Sequence, residues 1–454
     1  MTQPTIISPA FEPFFADSDN NDKREAIVIY KPKTKPEPTL RGELRELKKR
    51  LDFIKASAAV QEKVEKDVFN EYLKTSKKQS TKTPDLEYES LGEGALPVSK
   101  FEVTKKSLKA FEEQTDVLAV LPNQQVHLIA PKSVDYNTLG RDELKHKLTW
   151  GLRHLDIPKM WKTTKGKDIN VAVLDTGVYG EHPALTDRVK EFVVIDPLGR
   201  EIETASGKSF DYDSHGTHVC GTIAGQKDAN GVSIGVAPEA NLFVASIHFG
   251  SSFLSNVVQG INWAIRKGAD IISMSIGLSY YEPYIDLLFQ ALLERYGIVP
   301  VVAIGNERHG STSCPGNAPN ALSVGAVEKM TGNRVEVASF SSGASLIFPG
   351  NTPAVVHNPD IVAPGAQVYS CIPPAAVSGG IFNYTYMDGT SMATPHVAGI
   401  LALLMAAKPA TDVSDIIQAV KDTADHPNND PTLRPDNRWG FGLIQPAKAL
   451  QELP

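Results

Sequence analysis

The sequence has little cysteine: its 454 residues include three, Cys220, Cys314 and Cys371. So small and odd a number fits a reducing compartment better than a disulfide framework. The N-terminus lacks the basic region and sustained apolar core of a signal peptide. No apolar run reaches the roughly 18 residues that span a bilayer. We therefore expect a cytoplasmic protein without a membrane segment.

Positively charged residues do not outnumber the negatively charged ones. The chain has 46 Lys and Arg against 53 Asp and Glu, which gives a net charge of -7 and a pI of about 5.9. This balance argues against nucleic acid or an anionic membrane as an obligate partner. Hydrophobic residues make up 41% of the chain, enough for a sizeable core, and its length favours two domains.

The pattern of strands and helices in the first third predicts a small α+β domain, which we expect to comprise residues 24–132. Residues 1–23 are polar and proline-containing, which predicts a flexible tail, and residues 133–147 are a polar connector. The sequence predicts a buried strand at 26–32 and helix formers at 41–77, as one long helix or two shorter ones. A linker-like stretch follows at 74–94. After it come the strand VSKFEV, a short helix at 105–114, and the strands VLAVLP and QVHLIAP.

From residue 148 to the end, short apolar strands alternate with helical segments. INVAVLD, NLFVASI, DIISMSIG and IVPVVAIGN are such strands. This alternation predicts an α/β domain with a mostly parallel sheet covered on both faces. In such sheets the chemistry lies beyond the carboxyl ends of the strands.

Four side chains are predicted at that edge. Asp175 ends INVAVLD, His215 begins a helical run in DSHGTHVCGTIAG, Asn306 ends VVAIGN, and Ser391 precedes an apolar helix in DGTSMATPHVAG. Each alone has an ordinary structural explanation as a turn former or a helix cap. Together they provide a nucleophile, a base, a carboxylate to orient the base and an oxyanion donor, which is the set that amide hydrolysis needs.

At these residues the chain resembles the subtilisin-like serine proteases, or subtilases. VLDTGV, DSHGTHVCGTIAG and DGTSMATPHVAG match the three signature blocks of that family, in its Asp, His, Ser order. Subtilisin itself has this order of triad residues and an oxyanion asparagine. The likeness runs from about Trp150 to the end and implies a subtilisin-like three-layer fold over 148–454.

The resemblance also implies roles. Asp175 would orient His215, His215 would act as base and then acid, Ser391 would attack the scissile carbonyl, and Asn306 with the backbone N–H of Ser391 would hold the oxyanion. The substrate-binding positions it implies are Ser275, Ile276, Gly277, Ala303, Gly305, Glu307 and Ser313, with Glu307 and Ser313 near the floor of the S1 pocket. A protein or peptide is the implied substrate, with a broad preference for a large apolar or aromatic residue before the cleaved bond, and Glu307 leaves a basic residue open there.

No cofactor is implied for catalysis. Secreted family members carry HPDL after the first block, where the aspartate binds calcium; here the stretch is His182 to Leu185 with Ala184 in that place. We therefore expect no high-affinity calcium there and predict no metal ligands, although other calcium sites remain open. Cys220, on the helix that His215 begins, is expected to be a small buried residue.

The N-terminal third resembles a subtilase propeptide, which inhibits the site with its C-terminal segment. We expect any processing between Ala130 and Lys147. Alternatives are a regulatory domain that is never removed, and a peptide ligase or macrocyclase with the same triad, in which an amine rather than water resolves the acyl-enzyme. A peptide-binding module on a dead protease fold ranks last, because no triad member is lost. The sequence does not determine the oligomeric state.

Overall fold

The computed structural model describes residues 5–32, 46–79, 85–204, 207–332, 334–348, 354–378, 380–428 and 430–454. The chain divides into two compact units. The first comprises residues 1–126 with 197–199 and 251–268, and the second comprises 127–196, 200–250 and 269–454. The connector at 133–147, which we expected between two domains, therefore falls inside the second unit.

The regular elements alternate between strands and helices throughout the described residues. The strands are β1 (Ile6–Ile7), β2 (Arg24–Tyr30), β3 (Tyr88–Ser90), β4 (Val98–Val103), β5 (Val117–Pro122), β6 (Gln125–Leu128), β7 (Ser133–Asp135), β8 (Asn170–Asp175), β9 (Val189–Ile195), β10 (Glu201–Ile202), β11 (Asn241–Ser246), β12 (Ser252–Phe253), β13 (Ile271–Met274), β14 (Ile276–Gly277), β15 (Val299–Ala303), β16 (Leu322–Lys329), β17 (Val335–Val337), β18 (Ala344–Phe348), β19 (Ala354–Asn358), β20 (Ile361–Pro364), β21 (Val368–Val377) and β22 (Gly380–Asp388). The helices are α1 (Phe11–Phe14), α2 (Leu47–Gln79), α3 (Arg141–His146), α4 (Trp150–His154), α5 (Ile157–Met160), α6 (His215–Ala224), α7 (Leu254–Lys267), α8 (Ile285–Ala291), α9 (Thr390–Ala407), α10 (Val413–Asp422) and α11 (Pro446–Glu452), with single turns at Ser107–Phe111, Pro183–Leu185, Leu292–Tyr296 and Pro431–Leu433.

The first unit is built on a sheet in the order β1-β5-β2-β4-β3. The apolar run in β2 is buried at every position from residue 26 to 30, as a central strand requires. Its core is aromatic: the ring of Tyr72, on α2, stacks on Phe111 with centroids 4.5 Å apart, and Phe101 meets both rings edge-on. The helix formers at 47–79 form one helix rather than two; residues 41–45 of that predicted stretch lie outside the described residues.

Two expectations for this unit are wrong. The described part of the predicted flexible tail, residues 5–23, is packed, because β1 pairs in parallel with β5 and the rings of Phe11 and Phe15 are buried in the core. The predicted linker at 74–94 is also structured in its described parts: α2 continues to residue 79, and Leu86 and Leu91 are buried. The apolar residues that hold these two segments are few and irregularly spaced among polar ones, so they give no periodic pattern.

The second unit is built on a sheet in the order β10-β9-β11-β8-β13-β15-β16-β17, with β20 pairing to β16. The pairs from β9 to β16 are parallel, and antiparallel strands lie at its ends. This is the predicted mostly parallel α/β sheet. Its strands are buried on both faces, which explains why they read as continuous apolar runs.

Helices α6 and α9 pack against each other and against strands of this sheet. Helix α9 is long and apolar enough to cross a membrane by composition, contrary to our expectation that no such run exists. However, 89% of it is buried within the protein, so composition alone is weak evidence of a span. Its apolar length reflects a central position in the core.

The connector in the second unit is ordered. Strand β7 pairs antiparallel with β22, and α3 follows it. The Asp142 carboxylate on α3 forms ion pairs with Arg153 and with Lys329, and these cations hold its pKa well below the usual range. These contacts fix residues 133–147 against the second unit.

Candidate active site

Asp175 and His215 are brought together by the end of β8 and the start of α6. The Nδ1 atom of His215 lies 2.7 Å from Oδ1 of Asp175, and both side chains are buried. Close backbone packing permits this approach: a Cβ on Gly216 would lie 2.1 Å from the carbonyl oxygen of Gly177. Glycine after the histidine therefore lets the helix begin directly on the turn that follows the aspartate.

The electrostatics of His215 favour its charged form. Burial acts most strongly, and it opposes protonation. The charge and hydrogen bond of Asp175, with the charges of Asp211 and Asp213, outweigh burial, so the pKa of His215 is raised. A base with a raised pKa accepts a proton more readily.

Ser391 lies in the first turn of α9 and is fully buried. Its hydroxyl donates a hydrogen bond to the carbonyl oxygen of Ile129. Among the described residues, Nε2 of His215 and Oδ2 of Asp175 have no hydrogen-bond partner. The imidazole nitrogen opposite Asp175 is thus free to accept a proton.

Asn306 follows β15, and its amide is oriented by α9. The N–H and the hydroxyl of Thr390 both donate to Oδ1 of Asn306, at 2.8 and 2.9 Å. With its oxygen engaged in this way, the amide directs Nδ2 to the carbonyl oxygen of Ala130, 2.9 Å away. Asn306 is therefore a preoriented donor beside Ser391.

The chain's own residues 127–130 lie in this cleft as an extended strand. Leu128 and His127 pair antiparallel with Ile276 and Gly277 of β14. The Ile129 N–H donates to the carbonyl of Ser275 at 2.9 Å. The three residues predicted to bind substrate backbone thus contact a peptide backbone here.

The remaining predicted pocket residues divide into two groups. Gly277, Gly305 and Ser313 converge, because a Cβ added to Gly277 would lie 3.0 Å from Cβ of Ser313 and one on Gly305 would lie 2.6 Å from its Oγ. Ala303 is buried at the end of β15 nearby. The side chain of Glu307 is 71% exposed and pairs with Lys132 at 3.1 Å.

Sequence reasoning missed a second carboxylate, Asp211, which is partly buried. Its oxygens accept hydrogen bonds from the hydroxyl of Thr176 at 2.7 Å and from the N–H of Thr217 at 2.7 Å. Thr176 also accepts the N–H of Gly216 at 3.0 Å. Asp211 thereby ties the turn after Asp175 to the start of α6. The signal was present, since Asp211 stands four residues before the histidine in DYDSHGTH.

The stretch around Ala184 and the loop at 228–232 show how protein groups satisfy the polar atoms there. Ala184 is buried and offers no side-chain oxygen, while Oδ1 of Asp228 accepts the N–H groups of Asn230 and Val232, both at 2.8 Å. Within the described ranges, no group of three or more His, Cys, Asp or Glu side chains is placed to hold a metal ion. Cys220 is fully buried, as expected, and burial raises the pKa of its thiol well above the usual value.

Comparison with known proteins agrees with this geometry. The family model of the subtilases (Peptidase S8) matches residues 166–442. An intracellular serine protease of Paenibacillus polymyxa is 35% identical over 292 residues, which covers 62% of this chain and 78% of that protein. Subtilisin Savinase of Lederbergia lenta is 32% identical over 298 residues, covering 65% of this chain and 96% of that protein.

A solved structure supports the fold. The crystal structure of fervidolysin from Fervidobacterium pennivorans, a keratinolytic enzyme related to subtilisin, superposes with a TM-score of 0.71 at 24% identity. The match covers 99% of this chain and 63% of that one. With the family match and the relatives above, the chain belongs to the subtilase family and is a subtilisin-like serine endopeptidase.

Proposed function

We propose that Ser391, His215 and Asp175 form the catalytic triad of this endopeptidase. The observation that carries the proposal is the contact of the Ser391 hydroxyl with a peptide carbonyl in the cleft, together with the buried pair of His215 and Asp175 on a helix that packs against that of Ser391. A hydroxyl in the first turn of an 18-residue helix also lies where the helix dipole stabilises negative charge.

The chemistry follows from these positions. The Oγ atom of Ser391 attacks the scissile carbonyl carbon while Nε2 of His215 takes its proton. The carbonyl oxygen becomes negatively charged, and the amide of Asn306 and the backbone N–H of Ser391 stabilise it. His215 then gives its proton to the departing amine, and water resolves the acyl-enzyme by the same steps in reverse order. Asp175 keeps the imidazole oriented and stabilises its charge.

We further propose that the enzyme is made as an inhibited precursor. Residues 127–130 lie in the cleft with the backbone pairing expected of a substrate. Two successive carbonyls are engaged, that of Ile129 by Ser391 and that of Ala130 by Asn306. A substrate needs one carbonyl to meet both groups, so this pose favours inhibition over cleavage. Pro131 follows at once and has no N–H to donate.

A regulated protease whose N-terminal domain is retained is the second candidate. The uncut chain runs from the cleft at Ala130 to α4 at Trp150. Along the connector, β7 pairs with β22 and Asp142 forms an ion pair with Arg153. Cleavage is therefore not required for the described residues of the second unit to reach these positions.

The experiment that separates the two is intact mass over time for the purified wild-type chain beside Ser391→Ala. A single cut of the wild type between residues 130 and 147, with the variant whole, supports a self-processed precursor. If both stay whole while a serine-directed phosphonate labels Ser391 in the wild type, the N-terminal domain is a standing inhibitor. Labelling of another residue, or turnover by Ser391→Ala, contradicts the triad.

We also propose a cytoplasmic location, which the names of two relatives support. The Paenibacillus protein and a Bacillus subtilis relative, 35% identical over 271 residues, are both called intracellular serine proteases. Subcellular fractionation of cells that produce the protein tests this. Recovery in the medium would contradict it.

A further inference from the structure

The chain's contacts continue beyond the catalytic residues. After Ala130, the Lys132 N–H donates to the carbonyl of Asp388 at 2.7 Å. Strand β7 then pairs antiparallel with the end of β22, so that residues 133, 134 and 135 oppose residues 388, 387 and 386. The edge of β22 therefore binds an extended chain on the side of the cleft where the residues after Ala130 lie.

Strand β22 binds residues 133–135 mostly through main-chain hydrogen bonds. The side chains of Ser133 and Val134 are exposed, that of Val134 by 44%. The hydroxyl of Thr385, itself fully buried, donates to the carbonyl of Asp135 at 2.9 Å. Strand addition of this kind accepts many sequences, because the hydrogen bonds involve backbone groups.

One side chain of the segment makes a specific contact. The ring of Tyr136 meets the ring of Phe382, on β22, edge-on with centroids 5.6 Å apart. Tyr136 is also partly buried against the core of the second unit. An aromatic residue here gains both apolar burial and a ring contact.

We propose that the edge of β22 from Phe382 to Asp388 is a binding site for the part of a peptide substrate that follows the cleaved bond. It takes an extended strand and prefers an aromatic residue at the sixth position after the one whose carbonyl Asn306 holds. Tyr136 occupies that position relative to Ala130. This inference rests on the proposed function, since it takes Asn306 as the oxyanion donor.

The site has a consequence for regulation. Residues 131–136 remain attached to α4 after any cut at Ala130, and they already fill the edge of β22. A substrate with a long leaving side must displace them, whereas a short one need not.

The test uses the full-length chain carrying Ile129→Asp, which places a carboxylate at a buried position of the cleft segment and so favours its release, together with Tyr136→Ala, which removes the chain's own ring from Phe382. Three fluorogenic peptides share one sequence up to the second residue after the cleaved bond. The first ends there, the second continues with Ser-Val-Asp-Tyr, and the third with Ser-Val-Asp-Ala. We expect the tyrosine peptide to exceed the alanine peptide in kcat/KM by about three- to ten-fold, the range of an aromatic pair.

Phe382→Ala in the same background should abolish that ratio. Ile381→Ala is the matched control, because its side chain is 73% exposed on the same strand, and it should leave the ratio unchanged. Circular dichroism checks that each variant is folded.

Equal kcat/KM for the tyrosine and alanine peptides, or a ratio that survives Phe382→Ala, overturns the site. Labelling of Ser391 by a serine-directed phosphonate without hydrolysis of the long peptides also overturns it while leaving the triad intact. Failure of both labelling and hydrolysis overturns the proposed function, and this site with it.

Discussion

The hydroxyl of Ser391 donates a hydrogen bond to the carbonyl of Ile129, 262 residues earlier in the chain. The next carbonyl, that of Ala130, accepts from Asn306. A nucleophile and an oxyanion donor thus bind neighbouring peptide units of the protein's own backbone. The cleft is occupied in a substrate-like manner, but one carbonyl does not meet both groups.

Asn306→Ala should lower kcat with little change in KM, because the amide is expected to act on the charge that develops in the transition state. In subtilisin, loss of one such donor lowers kcat by roughly 10²–10³, and that known case sets our expectation. Steady-state hydrolysis of a peptide measures the effect. Asn320→Ala is the control, since its amide bonds the carboxylate of Asp286. A change confined to KM would exclude Asn306 from oxyanion binding.

Asp211→Asn should shift the acidic limb of the pH profile of kcat/KM to lower pH. The negative charge of Asp211 helps to raise the pKa of His215, so its removal lowers that pKa and keeps the base neutral in more acidic solution. Burial raises the pKa of Asp211 itself, against its hydrogen bonds with Thr217 and Thr176, so the effect applies above that pKa.

Asp213→Asn is the matched control for this prediction. Asp213 is exposed and acts on His215 less strongly than Asp211, so a smaller shift is expected. Titration of the His215 imidazole by NMR provides a readout independent of turnover. An unchanged or higher pKa in Asp211→Asn would contradict the electrostatic role.

Glu65→Gln should stabilise the first unit at neutral pH. Burial raises the pKa of Glu65, although Gln61 and Ser90 donate hydrogen bonds to its carboxylate. A raised folded-state pKa means that the group favours folding at low pH, and that this contribution is lost as pH rises from the unfolded value through the folded one. Glutamine keeps the shape without the charge.

The measurement is hydrogen exchange of the β2 and β4 amides at pH 7.5 and at pH 4. Slower exchange in Glu65→Gln is expected at pH 7.5, with the difference shrinking at pH 4. Glu62→Gln is the control, because Glu62 is exposed and pairs with Lys66. Faster exchange in Glu65→Gln at pH 7.5 would contradict the sign.

A chelator should barely change the melting temperature. Ala184 provides no ligand, and the loop at 228–232 satisfies its own carboxylate with backbone N–H groups. Thermal unfolding with and without EDTA, each followed by added calcium, checks this. A large drop that calcium reverses would reveal a metal site elsewhere in the chain.

The sequence by itself determined the family, the order of the three blocks and the mostly parallel sheet. These follow from local features: apolar runs buried on both faces, glycines at close approaches, and reactive residues directly after strands. The pairing of His215 with Asp175 was also predictable, because both lie at one edge of one sheet. Packing of residues 5–20 was not, since three phenylalanines clustered in a polar stretch give no period.

Only the tertiary structure decided what meets Ser391. Which carbonyls meet Ser391 and Asn306 depends on strand register against β14, because a shift of one residue replaces each carbonyl by its neighbour in the chain. Asp211 likewise gained its place beside His215 through hydrogen bonds with Thr176 and Thr217, on opposite sides of one turn. Such contacts join segments that are distant in the chain, and local pattern carries no information about distances between them.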